Sequence, residues 1–281
     1  MEIEQGWLDL LASIAADSSI ATIYVVGEVD TGKTSLARFL LSRLTVRYAT
    51  AYLDCDCGQS VVGPPATVGI SLFAGGNPEA QHTYLRFVGN ASPKGHLLQT
   101  VVGLRRLLDR AHQAGAQKIV IDSSGFATGE AGREFQYHVI DVLQPDCIAV
   151  LNGATVGPVL SCFRGAPKII ELPVSTHVVP RDAGIRRDYR RKRFERFFRD
   201  ATLQELTLEG FGLRGRVPDF ARSEQWQHLL FALCGSDQFV VTLAVMREVA
   251  ADSSLVRFHA PQFDRLQVAS LQFGSMYLEQ W

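Results

Sequence analysis

Across the first 175 residues, short apolar runs alternate with stretches of helical period. Residues 20–26 (IATIYVV) are short, rich in β-branched side chains and flanked by turn formers, which predicts a buried strand. In residues 33–46, Leu36, Phe39, Leu40 and Leu44 share one face and predict a helix. Strands are expected at 51–55 and 83–88. Leu97, Leu98, Val101, Leu104, Leu107 and Leu108 recur at helical spacing, so 97–114 reads as an amphipathic helix stopped by Gly115. Residues 118–122 (KIVID) read as a strand ending in a carboxylate, 133–143 as a helix, and 147–151 and 168–172 as two more strands. Strands alternating with helices predict an α/β fold, a mostly parallel sheet with helices on both faces.

Beyond residue 175 the character changes. Residues 181–200 (RDAGIRRDYRRKRFERFFRD) carry nine basic and four acidic side chains, in a chain whose net charge is only −1. Within this stretch Arg191, Lys192 and Arg199 read as a solvated face, while Phe194, Phe197 and Phe198 read as the face that docks on the core. From about 202 the helical period fades. Apolar runs at 238–245, 255–259 and 267–273, punctuated by Gly and Pro, predict a small β-rich unit. The expected division is a main domain over residues 1–200 and a β-rich C-terminal subdomain over 201–281.

Composition narrows the setting. The chain of 281 residues is 47% hydrophobic and 20% charged, which excludes a disordered or fibrous protein. Its near-neutral charge excludes a generally polycationic binder, so any polyanion contact has to come from local clusters. No apolar run approaches the ~20 residues of a membrane helix. Residues 1–19 are acidic and lack a basic leader. Five cysteines, an odd number, point to a reducing interior. A cytoplasmic setting without membrane association is expected.

The chemistry starts at Gly27-Glu28-Val29-Asp30-Thr31-Gly32-Lys33-Thr34, which fits G-x-x-x-x-G-K-[ST] between a predicted strand and a predicted helix. The glycines let backbone N–H groups converge on phosphate oxygens, and the helix N-terminus adds its dipole. Lys33 brings a charge to the β/γ phosphates, and the Thr34 hydroxyl can ligate Mg²⁺. Residues 27–35, Ser35 included, are therefore the candidate nucleoside-triphosphate site of a P-loop fold. A guanine-reading N-K-x-D segment is missing, which argues against a GTPase.

The second strand ends Leu53-Asp54-Cys55-Asp56-Cys57-Gly58-Gln59. Strand alternation puts Asp54 and Asp56 on one face, and ligands of open α/β sheets bind beyond the carboxyl ends of the strands. Asp56 is the candidate general base for an attacking hydroxyl. Asp54 and Asp122 are candidate metal-side carboxylates. Cys55 and Cys57 fall on the other face without further ligands, so a structural metal there is disfavoured.

Together these segments resemble the polynucleotide 5′-hydroxyl kinase family, which includes the cleavage and polyadenylation factor kinase and the pre-ribosomal-RNA-processing kinases. The phosphate loop with Asp30 in its interior, the D-x-D-x-G-Q block at 54–59 with Pro64-Pro65, the block Phe87 to Gly95 (FVGNASPKG), and Ile121-Asp122-Ser123-Ser124-Gly125-Phe126 occur in the family's order. The basic stretch 181–200 is similar to its lid, and the C-terminal portion is similar to its β subdomain.

The resemblance implies a P-loop kinase using ATP, or another nucleoside triphosphate, with Mg²⁺ to phosphorylate the 5′-hydroxyl end of RNA or DNA. It implies that Lys33, Asp56 and the lid arginines Arg181 and Arg186 act on the transferring phosphoryl group. Thr34, Asp54 and Asp122 would attend the metal. Gln59, Pro65, Ser92, Lys94, Ser124, Gly125 and Phe126 would meet the nucleic acid. Phe126 stands where the family often has Trp. Two other readings remain: an ATP-bound, non-catalytic scaffold of an RNA-processing complex, and a small-molecule or nucleoside kinase.

Overall fold

The apolar run after residue 20 becomes the middle of a seven-stranded sheet because it is covered on both faces. The computed structural model describes residues 4–175, 177–219, 222, 225–250 and 255–279. In chain order the elements are α1 (Gln5–Ala16), β1 (Thr22–Gly27), α2 (Lys33–Leu44), β2 (Thr50–Asp54), β3 (Thr67–Phe73), β4 (Ala80–Phe87), α3 (Leu97–Gln113), β5 (Lys118–Asp122), α4 (Gly129–Leu143), β6 (Cys147–Leu151), α5 (Gly157–Leu160), β7 (Lys168–Leu172) and α6 (Ala183–Phe197). Then come β8 (Thr202–Thr207), β9 (Gly212–Gly215), β10 (Leu229–Cys234), β11 (Val240–Val249), β12 (Leu255–Ala260) and β13 (Ser270–Tyr277).

The first sheet runs β4-β3-β2-β5-β1-β6-β7. Strands β2, β5, β1, β6 and β7 are parallel, and β3 and β4 add an antiparallel edge. Tyr24 and Val26 of β1 enter the apolar layer under α3 and α4, whereas Ile23 and Val25 enter the layer under α1 and α2. Burial on both faces explains why β1 reads as continuous apolar sequence rather than an alternation.

Helices α1 and α5 and strand β3 lie outside the sequence reading. Helix α1 buries Trp7, Leu10 and Ile14, and β3 pairs with β2 through Asp54 and Gly69. Leu98, expected on the buried face of α3, is 78% exposed; Leu104, Leu107 and Leu108 carry that face, with Leu97 and Val101 packed at its margin.

The second sheet runs β8-β12-β11-β10-β13-β9. Its β8, β9 and β10 were not expected from sequence. It docks on the first sheet through specific bonds. Arg86 donates to the Gln238 carbonyl, Gln272 Nε2 to the Phe87 carbonyl (3.3 Å), and Asn90 Nδ2 to Ser275 Oγ (2.9 Å). Helix α6 is capped by Asp182, whose carboxylate accepts from the Ile185 N–H. Its Phe194 and Phe198 are buried in one cluster with Ala66 and Phe87 of the first unit and Leu230, Leu243 and Val245 of the second. Its other face pairs Arg191 and Lys192 with Asp188 in solvent.

Candidate functional site

The sheet order decides where the site forms. Strand β1 is central, and the loop that leaves its carboxyl end is the phosphate-loop sequence. A Cβ at Gly27 would stand 2.2 Å from the Leu151 carbonyl oxygen, so only glycine lets β1 run this close to β6. Asp30 (φ 56°) and Gly32 (φ 91°) then take left-handed backbone conformations, which curl the loop back into α2. Lys33 opens α2 and is buried, its ammonium donating to the Glu28 carbonyl. Burial lowers its pKa, opposed by the charges of Asp122, Asp56, Asp30 and Glu28.

Above this loop lies a cavity of about 860 Å³. Its lining includes residues 29–35, Asp56, Gln59, Ser92, Ser124, Gly125, Phe126, Arg181 and Arg186. Five separate segments named from sequence thus meet in one space. Asp56 Oδ1 accepts the N–H groups of Gly58 and Gln59, both at 2.8 Å, which turns the carboxylate back over its own loop. Its Oδ2 lies 3.5 Å from the Gly125 N–H. Gly58 is required because a Cβ would meet the Ala91 oxygen at 2.4 Å, bringing the segment around Ser92 against the Asp56 loop.

The Phe126 segment is held from behind. Buried Gln136 donates to the Ser124 and Phe126 carbonyls (3.1 and 3.0 Å) and accepts from Tyr24 Oη (2.6 Å). Phe126 itself is tilted on Phe135, with ring centroids 5.9 Å apart. Helix α6 closes the opposite side. Tyr189 Oη donates to the Ser60 carbonyl (2.7 Å), Arg193 to the Val61 and Gly63 carbonyls, and the Arg186 carbonyl accepts from Gln59 Nε2 (3.3 Å).

Several named residues fall outside the lining. Asp54 is fully buried beneath it: Oδ1 accepts the Asp56 N–H (3.0 Å), and Oδ2 accepts those of Val61 and Val62 (2.5 and 2.9 Å). The strand ends at Asp54 and the chain turns, so strand alternation does not carry Asp56 onto the Asp54 face. Asp54 therefore organises loop 56–62 from beneath the cavity, both its carboxylate oxygens accepting backbone N–H groups. Burial, then the Asp122 charge, pushes its pKa up to about 8. Pro65 lies in the turn before β3, and Lys94 is exposed to solvent next to the lining residues Ser92 and Pro93. Gly27 and Glu28 act through backbone rather than lining.

Asp122 behaves differently. It is buried, its Oδ2 accepts from Tyr52 Oη (2.8 Å), and its Oδ1 has no partner among the described residues. Burial pushes its pKa up to about 6, while the neighbouring Thr34 and Tyr52 hydroxyls and Lys33 draw it down. An unpaired carboxylate oxygen beside the Thr34 hydroxyl is the donor set a hard divalent cation takes. Gln59 Oε1 and Ser123 Oγ, both on cavity-lining residues, are also buried without partners among the described residues. The structure adds Trp7, Thr128, Arg190 and segment 175–180 to the lining, with Thr176 outside the described residues. The spacing of Trp7, Leu10 and Ile14 was the available sequence signal for α1.

Comparison with known proteins agrees with this geometry. Residues 27–200 match a family described as mRNA cleavage and polyadenylation factor CLP1 P-loop. A polyribonucleotide 5′-hydroxyl-kinase of Thermococcus kodakarensis is 30% identical over 218 residues, 76% of this chain and 62% of that protein. One of Pyrococcus furiosus is 30% identical over 69% of this chain and 55% of its own length. This chain thus spans little more than half of those relatives. Among solved structures, a Clp1p chain from a Pcf11p–Clp1p complex superposes with a TM-score of 0.75 at 14% identity, covering 96% of this chain and 79% of that one. That likeness shows a shared fold.

Proposed function

The chain belongs to the CLP1 P-loop family, and from that premise we propose that it is a kinase transferring the γ-phosphate of ATP to the 5′-hydroxyl end of a polynucleotide. One observation carries the reading: Lys33, Asp56, Arg181 and Arg186, from three separate segments, line a single cavity beyond the carboxyl ends of the parallel strands. Phosphoryl transfer needs little more than positioning and charge, and these residues supply both.

In this reading the triphosphate lies in the curl of residues 28–34, and Lys33 leaves the Glu28 carbonyl for phosphate oxygens. The 5′-hydroxyl enters between Asp56 and Phe126. Asp56 accepts its proton as the oxygen attacks phosphorus and the bond to ADP breaks. Arg186 and Arg181 neutralise the equatorial oxygens of the moving phosphoryl group. Thr34 and Asp122 are the residues that fit Mg²⁺, directly or through water; when bound it would shield phosphate charge. Gln59, Ser92, Ser124 and Phe126 would hold the terminal nucleotide, with Phe126 offering an aromatic face for stacking. Residues 1–200, with 181–200 as lid, form the kinase unit of this proposal, and 201–281 the β-rich unit that seats the lid.

The direct test offers γ-labelled ATP and Mg²⁺ to matched 5′-hydroxyl RNA and DNA oligomers. Label at the 5′ end of RNA, DNA or both supports the reading. ATP that stays bound while every oligomer remains unlabelled would replace it with the non-catalytic scaffold.

A further inference from the structure

Trp7 is 4% exposed, lines the cavity, and lies outside the phosphotransfer chemistry described above. Its indole is tilted on Phe39 of α2, with ring centroids 5.6 Å apart. The indole N–H is buried and has no acceptor among the described residues. Indole donates and never accepts, and a buried unpaired donor is costly, so such a group in a cavity wall is matched to an acceptor that arrives from outside.

The sheet order says which end of a nucleotide arrives there. The phosphate loop follows central β1. Asp56 follows β2 and Phe126 follows β5, both on one side of β1. Helix α1 packs on β7, and segment 175–180 follows β7, on the other side. A Cβ at Gly32 would lie 3.5 Å from Val178 Cγ2, so this segment abuts the phosphate loop itself. A triphosphate held on the loop with its reacting end toward Asp56 directs its nucleoside end toward Trp7, Val178 and Val179. The two valines offer apolar surface to a flat ring, and Trp7 stands in the same wall with its buried indole N–H unpaired among the described residues.

We propose that Trp7, with Val178 and Val179, forms the nucleobase seat, and that its indole N–H donates to an acceptor atom of the base. This rests on the phosphotransfer reading. The ligands for the test are ATP and inorganic tripolyphosphate, which keeps the phosphates and lacks the nucleoside. Trp7→Phe keeps an aromatic ring to pack on Phe39 and removes the donor together with one ring of the indole. It should weaken ATP binding about 5–20-fold by calorimetry, with tripolyphosphate binding unchanged. In wild type labelled at its three tryptophans, one indole N–H resonance should shift with ATP and stay put with tripolyphosphate.

Unchanged ATP affinity in a folded Trp7→Phe protein, or equal weakening of both ligands, would overturn the proposal. So would ATP binding by wild type with no indole resonance shifting, a result that holds even where the variant does not fold. Wild type that binds neither ligand would overturn the phosphotransfer reading itself, and this one with it.

Discussion

The guanidinium of Arg186 reaches from helix α6 to the phosphate loop, where its Nη2 lies 2.7 Å from Asp30 Oδ2; the same oxygen accepts the Arg181 N–H at 2.9 Å. A loop carboxylate thus holds the positive end of α6 over the site. In the proposed reaction, Arg186 would exchange that carboxylate for a phosphoryl oxygen. Arg186→Ala should lower kcat by about 10²–10³-fold with a much smaller change in the KM for ATP. Arg186→Lys should recover little, since an ammonium lacks the planar fork. Steady-state labelling with varied ATP checks this, and a change confined to KM would remove the assignment.

Asp56→Asn keeps the size of the side chain and removes its ability to take a proton. End labelling should fall about 10²–10⁴-fold, with ATP affinity nearly unchanged. Lys33→Ala should instead weaken ATP binding as well as abolish labelling. Full activity in Asp56→Asn would require another base.

Ligand-free stability should depend on pH in a defined direction. Asp54 and Asp122 are held up to about 8 and about 6 in the folded chain, first of all by burial. The folded state therefore keeps protons that the unfolded chain has released, and stability is lost as pH rises from about 4 toward 8. Between pH 5 and 8 the Tm of the ligand-free protein should drop by several degrees. Asp122→Asn removes one titration and the second cause of the Asp54 shift, so its Tm should fall less. Parallel Tm curves for the two proteins would contradict the assignment.

Gln136 ties Tyr24 to the segment that carries Phe126. Gln136→Leu leaves two carbonyls and a hydroxyl unpaired inside the protein, at a cost of about 1–3 kcal/mol in denaturant unfolding. Where the variant folds, the KM for the oligonucleotide should rise more than the KM for ATP.

A polyanionic acceptor loses affinity steeply with salt, whereas a nucleoside does not. The KM for an oligonucleotide should rise strongly between 50 and 200 mM salt on the order expected for several phosphate contacts. A flat profile would favour the small-molecule kinase.

Much of the site was legible because its chemistry sits in contiguous blocks. A phosphate loop needs its glycines and its Lys-Thr pair at fixed spacing, so residues 27–35 could be named before any coordinates. Asp56 was legible from its place just past the carboxyl end of a strand, Phe126 and Arg186 through family resemblance. Trp7 was hidden because its packing partner Phe39, and Val178 and Val179 that line the same cavity, are distant in sequence, and local pattern cannot report long-range packing. Strand β3 was missed because Gly69 interrupts its apolar run; that glycine leaves room for Val62 and Leu85. Alternation, which puts Asp54 and Asp56 on one face, assumes a strand that continues, whereas this one ends at Asp54.

Phe194 and Phe198 plant the root of the arginine helix in residues from both sheets. Cutting the chain after residue 200 would leave the first sheet its phosphate loop and Asp56 but strip the footing from the helix that bears Arg186. The β-rich half is thus a fulcrum, and its own folding sets how firmly the arginines are aimed.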